Sequence, residues 1–129
     1  MKNVAIKENH LYNKAYRRGK HSVGKYTALY VLKDYRARQI MLANPQKVYV
    51  NRLGVAVSKK VGNAVKRNRA KRIIRAAYRS IESELKTGFL VVISARTAIC
   101  EAKSTDIERE LRTAFSRLDM FDSQNGNDR

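Results

Sequence analysis

The stretch from Ser58 to Arg79 has the sequence SKKVGNAVKRNRAKRIIRAAYR, and the rest of the chain is organised around it. From Ala64 onward it contains neither Gly nor Pro and is rich in Ala, Arg and Lys, a composition that favours an α-helix. Asn63 follows the turn-forming Gly62 and is predicted to cap the start of this helix. The sequence therefore predicts one long helix near the middle of the chain.

One side of the predicted helix is apolar. At about 100° per residue, its apolar side chains fall on a single stripe, which predicts the side that packs against the core. The stripe comprises Ala70, Ile74, Ala77, Ile81 and Leu85, flanked by Ile73 and Tyr78.

The opposite side is cationic. No acidic residue lies between Asp34 and Glu82, whereas that segment holds 13 Lys and Arg. A solvated helix face usually alternates Glu with Lys at four-residue spacing, and cations in a first helical turn oppose the helix dipole. The pattern therefore favours binding of a nucleic acid over an ordinary solvated face. We call this side the basic ridge: Asn68, Lys71, Arg72, Arg75 and Arg79, with Arg67 and Arg69 on its flanks.

The charge of the whole chain is divided unevenly. The 129 residues carry a net charge of +17, with +19 in residues 1–81 and −2 in residues 82–129. Such a division confines the electrostatic attraction to one part of the molecule and indicates an anionic partner there. A ribosomal protein or a membrane-surface binder could be equally basic, so charge alone does not choose between them.

Length and cysteine content predict a small cytoplasmic protein. A chain of this size buries enough surface to fold without a disulfide or a metal, so we expect one domain over residues 1–122. The single Cys100 lacks a disulfide partner, and no apolar run indicates a signal peptide or a membrane span. Residues 123–129 are polar and are predicted to be a disordered tail.

Further helices are predicted at both ends of the chain. Residues 9–18 form a short amphipathic pattern, with Asn9 as the expected N-cap and Gly19 as the expected left-handed residue after the helix. Near the C-terminus, Thr105 and Glu108 match a capping box. The apolar residues that follow predict a helix covering the core: Ile107, Leu111, Ala114, Phe115 and Leu118.

Strands are predicted between these helices. Residues 22–33 are rich in β-branched and aromatic side chains, with Gly24 marking a bend between a short strand and a longer one. Leu53, Val55 and Val57 alternate with Gly54, Ala56 and Ser58, which predicts a strand leading into the basic helix. Residues 89–93 form an apolar run typical of a strand covered on both faces. The pattern leaves the structure of residues 34–51 open.

The basic helix also carries a family resemblance. Residues 58–75 resemble the signature of the bacterial ribonuclease P protein subunit, whose hallmark is Arg-Asn-Arg, then Lys-Arg, then a further Arg. Here these are Arg67-Asn68-Arg69, Lys71-Arg72 and Arg75. Weaker similarity extends from about residue 7 to residue 118.

The resemblance implies a fold. It is an α+β sandwich of order αβββαβα, with a mainly antiparallel four-stranded sheet and a left-handed βαβ crossover through the basic helix. Pattern alone would favour the right-handed crossover that most proteins adopt.

The family resemblance also implies an interface with the RNA subunit of ribonuclease P, formed near that subunit's active site. The implied contact residues are Lys59, Lys60, Lys66, Arg67, Asn68, Arg69, Lys71, Arg72 and Arg75.

Three tyrosines form a second candidate site. Tyr12 and Tyr16 lie one helical turn apart, and Tyr30 lies on a predicted strand. Composition alone favours a role in the core. The resemblance instead implies that they line a cleft for the single-stranded 5′ leader of precursor tRNA, where bases stack on aromatic rings.

The sequence offers little catalytic chemistry. A two-metal nuclease needs clustered carboxylates, whereas the basic part of the chain contains only Glu8 and Asp34. His10 and His21 flank the first helix without a motif that pairs them. The resemblance implies that the RNA subunit is the catalyst and holds Mg²⁺, with no cofactor on the protein, so that the two subunits together form the endoribonuclease.

Two alternatives remain open at this stage. A ribosomal or RNA-chaperone protein would have the same basic helix but would not need an aromatic cleft beside it. A nuclease acting alone would need its own metal ligands or a histidine pair. Adding Mg²⁺ and precursor tRNA to the protein, with and without an RNA subunit, distinguishes all three.

Overall fold

A computed structural model describes residues 4–122. Its helices and strands follow in the order β1 (Val4–Ala5), α1 (Asn9–Arg18), β2 (Lys20–Val23), β3 (Thr27–Lys33), α2 (Ala37–Ala43), β4 (Arg52–Ala56), α3 (Ala64–Arg79), β5 (Phe89–Ala95) and α4 (Ser104–Arg117). Short 3₁₀ turns lie at Lys59–Val61, Glu82–Glu84 and Thr97–Glu101. The prediction for residues 123–129 lies outside the described residues.

The strands form one mixed sheet in the order β1-β4-β5-β3-β2. β3 is antiparallel to β2 and β5, whereas β4 is parallel to β5 and to β1. The α+β class and the parallel connection from β4 through α3 to β5 are confirmed, and the hand of this connection stays a prediction. The prediction of a mainly antiparallel sheet with four strands was wrong, because β1 adds a fifth strand and half of the pairings are parallel. The sequence did not predict β1, since a strand of two residues is too short to produce a periodic pattern.

Both faces of the sheet are covered. On one face, Leu29 and Val91 pack with α3 and α4 in the larger core cluster. On the other, Leu90 and Val92 pack with α1 in a smaller cluster. Because successive strand residues point to opposite faces, the apolar run of β5 contributes to both clusters, as predicted.

The start and the buried side of α3 follow the sequence prediction. The Asn63 side chain accepts a hydrogen bond from the Lys66 backbone N–H at 3.0 Å, a cap of a kind typically worth about 1 kcal/mol. Six of the seven predicted stripe residues are buried and Ile73 is partly buried. The helix itself ends at Arg79, so Ile81 and Leu85 reach the core from the turn that follows.

Helix ends were predicted less well. Glu8, not Asn9, precedes the first turn of α1, and Gly19 has an extended backbone with φ −73°. Glycine is needed there for space, because a Cβ would lie 2.6 Å from the Ala15 carbonyl oxygen and 2.9 Å from that of Val31.

The N-cap of α4 is Lys103, two residues before Thr105, so the predicted capping box of Thr105 and Glu108 was wrong. The Asp106 carboxylate accepts a hydrogen bond from the Lys103 backbone N–H, at 2.9 Å. The residues predicted to face the core are all buried: Ile107, Leu111, Ala114, Phe115 and Leu118.

Residues 34–51 contain the short helix α2 and are closed at their base by an ion pair. The Arg52 guanidinium donates to both carboxylate oxygens of Asp34, at 2.7 and 2.9 Å, and both side chains are buried. Glu8 lies 3.4 Å from the same guanidinium. No helix within residues 4–122 is long and apolar enough to cross a membrane.

Candidate nucleic-acid interface

The basic ridge is exposed along α3. Asn68, Arg72, Arg75 and Arg79 are exposed, and Lys71 is half-buried at the edge. Among the ion pairs within residues 4–122, none involves a cation of α3. The ridge therefore presents uncompensated positive charge to solvent, as predicted, although its contact with RNA stays a prediction.

Lysines extend this charge at the N-terminus of α3. Lys59 and Lys60 lie in the 3₁₀ turn before the helix, and Lys66 lies in its first turn; all three are exposed. Gly62 between them has φ 147°, a conformation that favours glycine, and a Cβ there would lie 2.7 Å from the Lys66 side chain. The turn therefore brings the lysines next to the start of the ridge.

The two flanking arginines differ in their contacts. The Arg69 guanidinium donates to the carbonyl oxygens of Ala102, at 2.6 Å, and Cys100, at 3.5 Å. Arg67 Nε is buried and has no hydrogen-bond partner in the described part of the chain. Arg69 therefore ties α3 to the segment between β5 and α4, whereas Arg67 retains an unused donor.

Tyr16 and Tyr30 contact each other beside the sheet. Their ring centroids are 4.9 Å apart with an interplanar angle of 77°, an edge-to-face pair. The Tyr16 hydroxyl lies 3.2 Å from Ser94 Oγ on β5, and 38% of the Tyr16 residue is exposed. Neither tyrosine is fully buried, so both rings can be reached from solvent.

Tyr12 joins the tyrosines to β4. Its ring covers Gly54, where a Cβ would lie 2.7 Å from the ring atoms and the hydroxyl. Burial and the neighbouring Tyr16 raise the pKa of Tyr12, while Arg75 and a hydrogen bond from the Val55 backbone act in the opposite direction. Arg75 of the basic ridge thus lies within electrostatic range of Tyr12.

We give the name tyrosine cleft to five residues that contact one another between α1 and the sheet: Tyr12, Tyr16, Tyr30, Gly54 and Ser94. The sequence did not predict the last two of these residues, because their positions depend on strand pairing. Gly54 inside a strand is a local sign of close approach by another group.

His21 also borders this cleft. It pairs with Tyr30 across β2 and β3, and the two rings stack with centroids 6.0 Å apart. His10 lies in the first turn of α1, a helix whose ten residues span about 15 Å. The histidines therefore lie towards opposite ends of α1, an arrangement that does not favour joint action on one phosphate.

The carboxylates of α4 serve structural roles. Glu110 accepts hydrogen bonds from the Tyr26 and Thr27 backbone N–H groups and from the Thr27 hydroxyl. Arg112 pairs with Glu84 and Glu108 at 3.1 and 3.2 Å. Within residues 4–122, no group of three or more His, Cys, Asp or Glu side chains could hold a metal ion.

Comparison with known proteins connects these features to one family. Residues 1–119 match the family model described as Ribonuclease P. The chain is 38% identical over 127 residues to the ribonuclease P protein component of Clostridium acetobutylicum, covering 97% of this chain and 98% of the relative. It is 34% identical to that of Clostridioides difficile, covering 89% and 91%.

Solved structures show the same fold. A Staphylococcus aureus RNase P protein mutant described as defective in mRNA degradation matches with a TM-score of 0.74 and 26% identity, covering 91% of this chain and 89% of the other. The Thermotoga maritima RNase P protein matches with a TM-score of 0.67 and 20% identity, covering 84% and 92%.

Proposed function

The chain belongs to the ribonuclease P protein family, whose members are components of an endoribonuclease complex that contains RNA, and from this premise we propose how it acts. The basic ridge and its flanking residues bind the catalytic RNA subunit, and the tyrosine cleft binds the 5′ leader of precursor tRNA. The protein is the accessory subunit, and the RNA carries out the hydrolysis.

The observation that carries this proposal is that Arg75 of the basic ridge is close enough to Tyr12 to act on its pKa. RNA bound to the ridge and a strand stacked in the cleft would therefore be neighbours. A ribosomal or RNA-chaperone protein has no need for an accessible aromatic cleft at that place.

The unused donor of Arg67 supports the assignment of the ridge. Leaving a buried polar group without a hydrogen bond costs about 1–3 kcal/mol, and a phosphate or base oxygen would remove that cost once the Arg67 side chain turns outward. Guanidinium groups match phosphate oxygens in geometry and charge. We therefore place Arg67 with Asn68, Arg72 and Arg75 at the RNA contact.

The described side chains do not form a set that fits Mg²⁺, which requires oxygen ligands in a near-octahedral arrangement. We propose that the metal required for hydrolysis is held by RNA in the assembled enzyme. The role of this chain is then to bind and position RNA by neutralising phosphates.

Reconstitution tests the proposal. Labelled precursor tRNA and Mg²⁺ are added to the protein, to its cognate RNA subunit, and to both together. We expect no cleavage by the protein alone, and cleavage by both together at a lower Mg²⁺ concentration than the RNA alone requires. Cleavage by RNA-free protein that His10→Ala or His21→Ala abolishes would instead identify a protein nuclease.

Substitution of the tyrosines tests the cleft separately. Tyr16→Ala and Tyr30→Ala should each weaken binding of precursor tRNA to the assembled enzyme by about 5- to 150-fold, since stacking contributes about 1–3 kcal/mol per base. Tyr16→Phe and Tyr30→Phe retain the ring and should bind nearly as tightly as the wild type. Binding of mature tRNA, which lacks the leader, should not change; an equal loss for both RNAs would assign the tyrosines to packing.

A further inference from the structure

A second groove lies at the end of the sheet where β3 ends and β5 begins. It has a volume of about 410 Å³ and lies between the end of α1, the start of β2 and the residues that follow α4. Apolar side chains form its floor: Val31, Leu32, Phe89, Leu118 and Met120. A groove of this volume can accommodate a flat apolar group.

The rim of this groove is cationic. Arg18, Lys20 and Lys33 line it and are exposed, and no ion pair within residues 4–122 involves any of them. By contrast, Lys86 on the same rim pairs with Asp119 at 3.3 Å. Three uncompensated cations beside an apolar floor attract an anion that has an apolar part.

The groove and the tyrosine cleft both border β2, on opposite faces of the sheet. His21 stacks on Tyr30 in the cleft, and the preceding residue, Lys20, pairs with Val31 in the floor of the groove. β2 is the outer strand of the sheet. A single strand that leaves the cleft across this edge therefore reaches the groove within one residue of β2.

We propose that this groove binds leader nucleotides upstream of those in the tyrosine cleft. A base rests on the apolar floor, and the phosphates on either side contact Arg18, Lys20 and Lys33. Nucleotides have this combination of a flat base and a charged backbone, and basic grooves with apolar platforms bind single strands without regard to sequence. The inference rests on the proposed function, because it takes the leader as the strand in the cleft.

Leader length provides the test. The assembled enzyme is titrated with precursor tRNAs whose leaders have about 4 or about 16 nucleotides, the range of single-strand binding sites in small domains. The groove variant carries Arg18→Gln, Lys20→Gln and Lys33→Gln. A control variant removes the same charge elsewhere, by Lys25→Gln, Lys103→Gln and Arg109→Gln.

We expect the wild type and the control variant to bind the long leader more tightly than the short one. The groove variant should lose this gain, and its log-log salt slope for the long leader should fall by about 2, because each single-strand phosphate contact contributes about 0.7. Binding of the short leader and of mature tRNA should match that of the control.

Three results would overturn the inference: no gain from the long leader in the wild type, an undiminished gain in the groove variant, or an equal loss for all three RNAs. The last would place these cations at the RNA subunit. Failure of the cleft proposal can be distinguished from failure of the groove proposal, because Tyr16→Ala and Tyr30→Ala should also weaken binding of the short leader. If those variants bind normally while the groove variant loses its gain, the cleft assignment fails and the groove remains.

Discussion

Arg52 and the arginines of the basic ridge carry the same guanidinium group, but Arg52 is buried beside acids and the ridge arginines are exposed. Arg52 is 5% exposed and held by Asp34 and Glu8, whereas Arg72 and Arg75 are exposed and belong to no ion pair within residues 4–122. A buried guanidinium requires an acid, so one lies beside it. No acid within residues 4–122 forms an ion pair with the ridge, and this favours a partner from another molecule.

The largest expected effect is on Arg52. Arg52→Met leaves the buried Asp34 carboxylate without its partner and should lower the free energy of unfolding by about 3–5 kcal/mol. Combining it with Asp34→Asn removes the isolated charge and should restore part of the loss. Arg79→Met on the ridge is the matched control and should change stability by about 0.5 kcal/mol or less. Equal effects of Arg52→Met and Arg79→Met, measured by denaturant unfolding, would contradict the comparison.

The same ion pair predicts a pH dependence. Burial raises the pKa of Asp34, but hydrogen bonds from the Arg52 guanidinium and the Arg36 backbone N–H outweigh it, so the pKa lies below its ordinary value of 3.8. A carboxyl whose pKa is lowered by folding stabilises the protein above that ordinary value, and the stabilisation is lost as pH falls through the lower value. Unfolding free energies measured from about pH 5 down to pH 2 should therefore fall less steeply in Asp34→Asn than in the wild type. Parallel curves for the two proteins would contradict this prediction, because they would mean that folding does not change the pKa of Asp34.

Arg69 should have an intermediate effect. Its guanidinium donates to two backbone carbonyls, so Arg69→Ala should lower stability by about 1–3 kcal/mol, and Arg69→Lys should lose less. If Arg69 acts mainly inside the protein, its removal should change the salt dependence of RNA binding less than Arg72→Ala does. An effect on RNA binding equal to that of Arg72→Ala, with unchanged stability, would show that Arg69 acts at the RNA interface rather than inside the protein.

Local patterns were sufficient to predict the parts of the fold that depend on periodicity. The α3 stripe, the Asn63 cap and the two-sided burial of β5 follow from spacing along one segment. α2 was not predicted because none of its residues is buried, so no apolar stripe marked it. The partner of Asp34 is 18 residues away in sequence, and the partners of Glu110 are 83 and 84 residues away. Such contacts depend on tertiary structure, and composition does not predict them.

The candidate site shows the same division. The cations of the ridge were predicted from helical spacing, and the tyrosines from family resemblance. Gly54, Ser94 and His21 join the cleft only through strand pairing, which places them near Tyr12, Tyr16 and Tyr30. Spacing along the helix placed Arg69 on the flank of the ridge but did not reveal the carbonyl groups that it meets in the folded chain, and its contact with RNA stays a prediction.

The smallest expected effect on stability belongs to the ridge, and its measurement tests the central claim most directly. Binding of the RNA subunit is titrated at several salt concentrations with the wild type and with Arg72→Gln combined with Arg75→Gln. Two lost phosphate contacts should lower the log-log salt slope by about 1.4–1.8, while the free energy of unfolding changes by about 0.5 kcal/mol or less. An unchanged slope with a marked loss of stability would contradict the account, because these arginines would then serve the fold rather than the RNA.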